Sequence, residues 1–188
     1  MKDLKKNLIF VAIALAAAGS VAKENRDQHH AILQDAQFQP GTTYSVCFTP
    51  GQDCEGLIVR EIERAQKSIL MQAYSFTSTP IAKALADAKR RGVDVRAILD
   101  KSQRTEKYSG ATFLKNAGIP MVIDEKPAIA HSKIFIFDMH SVLTGSFNFT
   151  RSAQERNAEN LMVIKGDQTL VKTYAENWLN RWQVSVGF

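Results

Sequence analysis

An α/β fold, with a mixed, largely parallel β-sheet and helices packed on both of its faces, is the architecture this sequence predicts. Three observations predict it. From residue 44 onward, short apolar runs alternate with amphipathic ones, the strand–helix–strand order that layers helices against a sheet. Capping residues and glycines punctuate the joins between them. The 188 residues, 45% of them hydrophobic, supply the core of one domain and are too few for two comfortable ones.

The first 22 residues stand apart. A basic start, "MKDLKK", precedes an apolar run of 11, "LIFVAIALAAA", and small residues at Ser20 and Ala22, the layout of a secretory signal peptide. Eleven apolar residues fall short of the roughly 20 that cross a bilayer. The expectation is export, secreted or periplasmic, with cleavage after Ala22; a membrane-tethered chain with an uncleaved segment is the alternative. Cleavage would take three lysines and one aspartate, lowering the formal charge from +5 to +3. The basic balance favours a polyanionic partner, nucleic acid or an acidic lipid surface. Residues 23–43 are polar and read as an irregular lead-in. Adjacent His29 and His30 in that stretch are read as solvated side chains.

The folded domain is expected over 44–188. "TYSVCF" reads as a strand, and "EGLIVREIERAQK" has apolar positions Leu57, Ile58, Ile62 and Ala65 at a helical period. "SILMQAY" is a strand. "TPIAKALADAKRRG" is a helix with Thr79 as N-cap, Pro80 in the first turn, basic residues in the last turn and Gly92 closing it. "VDVRAIL" is a strand, "TEKYSGATFLKNAG" a helix and "IPMVI" a strand. "HSKIFIFD" and "SVLTGSFNF", joined at "MH", read as a hairpin, and "NLMVIK" as a further strand. The closing helix, "DQTLVKTYAENWLNRW", places Leu170, Tyr174, Trp178 and Trp182 on one stripe, with the tryptophans as core or interface anchors. Cys47 and Cys54 flank a Pro-Gly turn, and an oxidising compartment makes them a disulfide candidate. Zinc is the poorer reading, because no His or Cys pair completes a site.

The stretch with chemistry in it is "AHSKIFIFD". A histidine and a lysine interrupt a core strand, which normally excludes an unpartnered cation. Alternation puts His131, Lys133, Phe135 and Phe137 on one face. Two residues of strand separate His131 from Lys133 by roughly 6.5 Å, too far for direct pairing and suited to one tetrahedral anion touching both. Ser146 and Asn148 share a face of the next strand, so the hairpin would bring four polar groups together. A phosphodiester fits them. Lys133 offers a point charge, Ser146 and Asn148 neutral donors, and His131 a nitrogen able to act as nucleophile, base or acid. No carboxylates cluster with the histidine to hold magnesium, so neither metal nor cofactor is expected.

An H-x-K match alone carries little information in a chain with four histidines and 24 Lys or Arg. The full string H-x-K-x4-D-x6-G-S-x-N adds four fixed residues at roughly one in twenty each, an accident on the order of one in 10⁵. His131, Lys133, Asp138, Gly145, Ser146 and Asn148 resemble the HKD motif of the phospholipase D superfamily. "QAYSFTSTPIAKALADAKRRGVDVRAILD" and "RNAEN" resemble in particular its short secreted bacterial endonucleases of the Nuc type. That likeness covers roughly residues 44 to 182.

The resemblance implies that His131 attacks phosphorus to give a phosphohistidine that water hydrolyses, and that a second motif histidine protonates the leaving oxygen. It implies that Lys133 and Asn148 hold phosphate oxygens and that Ser146 supports the pocket. Glu155 and Glu159 are both near enough in sequence to fix the histidine tautomer, and the family pattern selects Glu159. Strand parity puts Asp138 opposite His131, so its role, like that of Gly145, is read as structural. The chain carries one motif where the mechanism needs two, which implies a two-fold homodimer.

The function expected is therefore a metal-independent, weakly specific phosphodiesterase acting on nucleic acid, DNA with RNA as a further candidate. The alternatives are a phospholipase D or cardiolipin hydrolase, and a non-catalytic nucleic-acid-binding component of a DNA-transfer system. Arg90, Arg91, Lys101, Arg104 and Lys107 are candidate backbone contacts. No stable membrane insertion of the mature chain is expected.

Overall fold

The computed structural model describes residues 35–105 and 109–188. The expected signal segment, His29, His30 and Lys107 lie outside them. One eight-stranded sheet organises the domain, in the order β1-β7-β6-β5-β2-β3-β4-β8. Its strands are β1 (Thr43–Thr49), β2 (Ser68–Ala73), β3 (Asp94–Asp100), β4 (Met121–Asp124), β5 (Lys133–Phe137), β6 (Ser141–Gly145), β7 (Glu159–Lys165) and β8 (Val186–Gly187). The sheet is mixed, as the sequence predicts, but its parallel part is confined to β2, β3 and β4. The remaining pairings are antiparallel; of these, β5 and β6 are joined by a tight turn, which admits no parallel arrangement.

Among the described residues five helices flank the sheet: α1 (Cys54–Arg64), α2 (Thr79–Arg90), α3 (Gly110–Asn116), α4 (Arg151–Glu155) and α5 (Gln168–Val184). Side-chain oxygens cap their first turns. Asp53 accepts from Gly56 N–H at 2.8 Å and Ser78 from Ile81 N–H at 3.2 Å, satisfying donors that a helix leaves open. The cap of α2 is thus Ser78, one residue before the expected Thr79, which forms the first turn with Pro80. Gly92, at φ +92°, takes the left-handed conformation that ends the same helix.

Two cores result, one on each face of the sheet. On the first, Ile58 and Ile62 of α1 and Ile81 and Leu85 of α2 pack with Phe135, Phe147 and Phe149. On the second, α5 sets Val171, Ala175 and Trp178 against Leu70, Ile98, Ile136 and Val142. The buried stripe of α5 therefore runs through Val171 rather than Leu170. Trp178 is buried and donates its indole N–H to the Met71 carbonyl at 2.9 Å. Arg181 forms a forked pair with buried Asp124 at 2.7 and 2.6 Å, tying the end of α5 to the end of β4.

A Cys47–Cys54 disulfide joins β1 to the first residue of α1. On the chain-entropy account, closing so short a loop stabilises the fold by about 2.5 kcal/mol. Across the β5–β6 turn, His140 N–H reaches the Phe137 carbonyl at 2.9 Å, with φ +53° at Asp138 and +52° at Met139. Positive φ at both central residues matches the twist of the flanking strands. No helix among the described residues is long and apolar enough to cross a membrane.

Candidate active site

Strand direction decides what gathers at each edge of this sheet. β1, β2, β3 and β6 end at the edge where β5 and β7 begin. That edge collects Tyr74 after β2, Asp100 at the end of β3, His131 and Lys133 at the start of β5, Gly145 and Ser146 at the end of β6, and Glu159 opening β7. Asp138 and His140 lie at the opposite edge.

His131 precedes β5 and is exposed, whereas Lys133 is its first residue and only 5% exposed. The Lys133 ammonium lies 2.9 Å from His131 Nδ1 and 3.2 Å from Nε2, and donates to the His131 carbonyl at 2.6 Å. The expectation that the two are too far apart to pair is therefore corrected. Strand spacing limits Cα atoms, not a four-carbon side chain, and His131 is not held in the ladder. Burial pushes the Lys133 pKa down, and the nearby Glu159 charge pulls part of the way back. The Tyr74 ring sits 4.5 Å from the imidazole, centroid to centroid, and 5.2 Å from the ammonium.

Within this chain Glu159 makes no hydrogen bond to His131. Its carboxylate instead accepts from Ser146 Oγ at 2.6 Å and from the Asn157 amide at 2.9 Å. Ser146 Oγ in turn accepts from Asn160 N–H at 3.1 Å and Asn160 Nδ2 at 3.2 Å. The hydroxyl is thus committed to protein partners. Glu155, the other carboxylate weighed, forms an ion pair with Arg151 on exposed α4.

Ser146 and Asn148 follow β6 rather than continuing it, because the strand ends at Gly145. A Cβ at Gly145 would run into the Asn160 carbonyl of β7, which also receives Ser146 N–H at 3.0 Å and Phe147 N–H at 3.3 Å. Close backbone approach explains the glycine. A cavity of about 480 Å³ opens beside the histidine, lined by His131, Lys133, Thr144, Ser146, Tyr174 and Asn177 among others. Asn148 is not among its lining residues, and its Oδ1 is buried without a hydrogen-bond partner among the described residues. The expected four-fold convergence is therefore three-fold here.

Asp138 caps the far edge. Its carboxylate accepts from Gln66 N–H at 2.9 Å, Lys67 N–H at 2.7 Å and Ser68 N–H at 2.9 Å. Burial raises its pKa, and these donors more than reverse that, leaving it below the ordinary value. A larger cavity, about 610 Å³, lies at this edge beside Glu61, Lys165 and Asp138. Its carboxylates are already engaged, Glu61 by Lys165 at 2.6 Å, so the smaller cavity is the chemical one. No cluster of three or more His, Cys, Asp or Glu suited to a metal occurs among the described residues.

Of the basic candidates, Arg90 pairs with Asp87, Arg91 donates to carbonyls at the end of α1, and Arg104 pairs with Glu125 at 3.1 Å. Lys101 remains exposed at the site edge without an ion pair among the described residues. Sequence reasoning assigned no role to Tyr74, Asn157 or Asn160. Tyr74 was recoverable in principle, because a polar-tipped aromatic ending a central strand of an α/β sheet stands where ligands bind.

Comparison with known proteins agrees with this arrangement. Residues 58–182 match the family described as "Cardiolipin synthase, PLD-like domain". A phospholipase D of Rickettsia conorii is 47% identical over 137 residues, covering 73% of this chain and 68% of that protein. A mitochondrial cardiolipin hydrolase of Xenopus tropicalis is 33% identical over 120 residues, 64% of this chain and 57% of its own. The crystal structure of Nuc from Salmonella typhimurium, a phospholipase D family member, superimposes with a TM-score of 0.75 at 38% identity, covering 78% of this chain and 98% of that one.

Proposed function

The chain belongs to the phospholipase D superfamily and is a phosphodiesterase of that family, and from that premise we propose that it cleaves nucleic acid, without metal, through a phosphohistidine on His131. The observation that carries the reading is the direct Lys133–His131 contact at the mouth of the cavity. A phosphodiester entering there draws the ammonium from the imidazole onto a non-bridging oxygen. The freed ring nitrogen forms the N–P bond as the P–O bond breaks. The leaving oxygen takes its proton from the second motif histidine; water, giving a proton back to that histidine, then forms a P–O bond as the N–P bond breaks, releasing phosphate monoester and restoring His131. Ser146 and Glu159 act from behind, one as a strut and the other as the counter-charge of Lys133.

A polyanionic chain is favoured over a lipid headgroup by the cations flanking the site. Lys101 after β3, Lys126 after β4 and Arg156 before β7 are exposed and make no ion pair among the described residues. With strands spaced roughly 4.8 Å apart, they stand about 10 Å or more to either side of β5, along the line a polyanionic backbone would take through the site. The lipid reading draws its support from the named activity of the Rickettsia relative.

The second histidine comes, in this proposal, from a second copy. Tyr44, Val46 and Phe48 are 70%, 37% and 55% exposed on one face of β1. Pairing with Ile164, Met162 and Asn160 puts them on the α5 side of the sheet. α5 packs over β4, β5 and β6 on that side. This apolar strip abuts Glu159, the partner of Thr49, so a symmetric copy covering it brings its own site near.

The test is cleavage of plasmid DNA in excess EDTA by wild type and His131→Ala, beside anionic lipid vesicles. DNA cleavage should survive the chelator and vanish in the variant. Turnover of lipid alone would sink the nuclease reading, and activity in His131→Ala would sink the catalytic one.

A further inference from the structure

His131 stands in a segment, residues 125–132, that runs from β4 to β5 without a sheet ladder. A nucleophile must nonetheless be held to within a fraction of an ångström, because a misplacement of about 1 Å can cost roughly 10²-fold in rate. Lys133 grips the His131 carbonyl from one side. On the other side the restraint comes from two strands away. Asp100, the last residue of β3 and 3% exposed, reaches past β2. Its Oδ2 accepts the N–H of Ala130, the residue before His131, at 2.7 Å. Its Oδ1 accepts Ser102 N–H at 2.9 Å, capping the short 3-10 turn Lys101–Arg104.

We propose that Asp100 is a positioning residue for His131, its carboxylate clamping the loop that presents the imidazole to phosphorus. Two features set it apart from an ordinary helix cap. Capping needs one acceptor oxygen, and serine or asparagine supplies that as well as aspartate does. Here the second oxygen is spent on a loop distant in sequence, inside a buried setting where an ionised carboxylate is tolerated only when hydrogen-bonded. Burial raises its pKa, but the two backbone donors and Lys101 outweigh that and hold it below the ordinary carboxylate value. Both bonds are therefore charge-assisted, the stronger kind.

The proposal rests on His131 being the nucleophile. Its test is Asp100→Ser, which keeps a cap oxygen for Ser102 N–H but has none to reach Ala130. Kinetics on bis(p-nitrophenyl) phosphate, a diester indifferent to the lipid or nucleic-acid question, should show kcat reduced about 10- to 100-fold with KM within about two-fold. A folded Asp100→Ser variant cleaving at the wild-type rate would overturn the proposal. Should that variant not fold, amide exchange in the wild type decides. Ala130 N–H should exchange as slowly as the amides of β5, and exchange at the rate of an open loop would overturn the assignment. His131→Ala run on the same diester separates the two claims, since its retained activity would overturn the underlying reading of the site.

Discussion

At the scale of single residues, Lys133 is set by two opposing effects: burial disfavours its charge, and the Glu159 carboxylate favours it. Glu159→Gln removes only the second effect, so the Lys133 pKa should fall further below the ordinary lysine value. A catalytic cation that deprotonates earlier moves the alkaline limb of the kcat/KM profile to lower pH. The direction is the test: an unmoved limb in a folded Glu159→Gln variant would remove Lys133 as the group titrating there. Ser146 retains an acceptor in glutamine, so the strut behind the site persists in that variant.

Among elements, the β5–β6 hairpin separates chemistry from architecture along its own length. Its open end carries His131 and Lys133, and its turn carries Asp138, roughly 17 Å away along five residues of strand. Three backbone N–H groups hold the Asp138 carboxylate ionised against the start of β2. Its folded pKa lies below the unfolded value near 3.8. The stabilisation is thus complete above that value and is lost as the pH falls through the folded one. Asp138→Asn should cost about 2 kcal/mol at neutral pH, measured by denaturant unfolding. The gap to wild type should close only in acid, below about pH 4. Diester kcat should be unchanged where both proteins are folded, and a large loss of kcat would give Asp138 a role at the site that its position denies.

For the whole molecule, the decisive quantity is subunit association. A single motif supplies one imidazole where the proposed reaction uses two, and the exposed face of β1 is an apolar strip beside the site. Val46→Asp should give monomers by sedimentation with an unchanged circular dichroism spectrum. Activity should fall by at least about 10²-fold, the usual value of a general acid. Full activity in those monomers would place the second proton donor within the protomer. The Cys47–Cys54 link holds the end of the same strand to α1, so the strip is presented on a stapled edge.

Local information was enough for much of this. Alternating periodicity located the strands and most helices, and the spacing of His131, Lys133, Asp138, Gly145, Ser146 and Asn148 named the family, because those signals live in neighbouring residues. The cysteine pair was legible for the same reason, being separated by one tight turn. What lay beyond reach were contacts between residues far apart in sequence: the antiparallel return of β5 onto β2, the Ser146–Glu159–Asn160 cluster, and the Asp100–Ala130 bond across two strands. The placement of Asn148 outside the cavity belongs with them. Periodicity reports which way a side chain leaves its own element. Only the packed sheet decides what it meets there, because strand order and direction are set by burial summed over the whole core and not by any one segment.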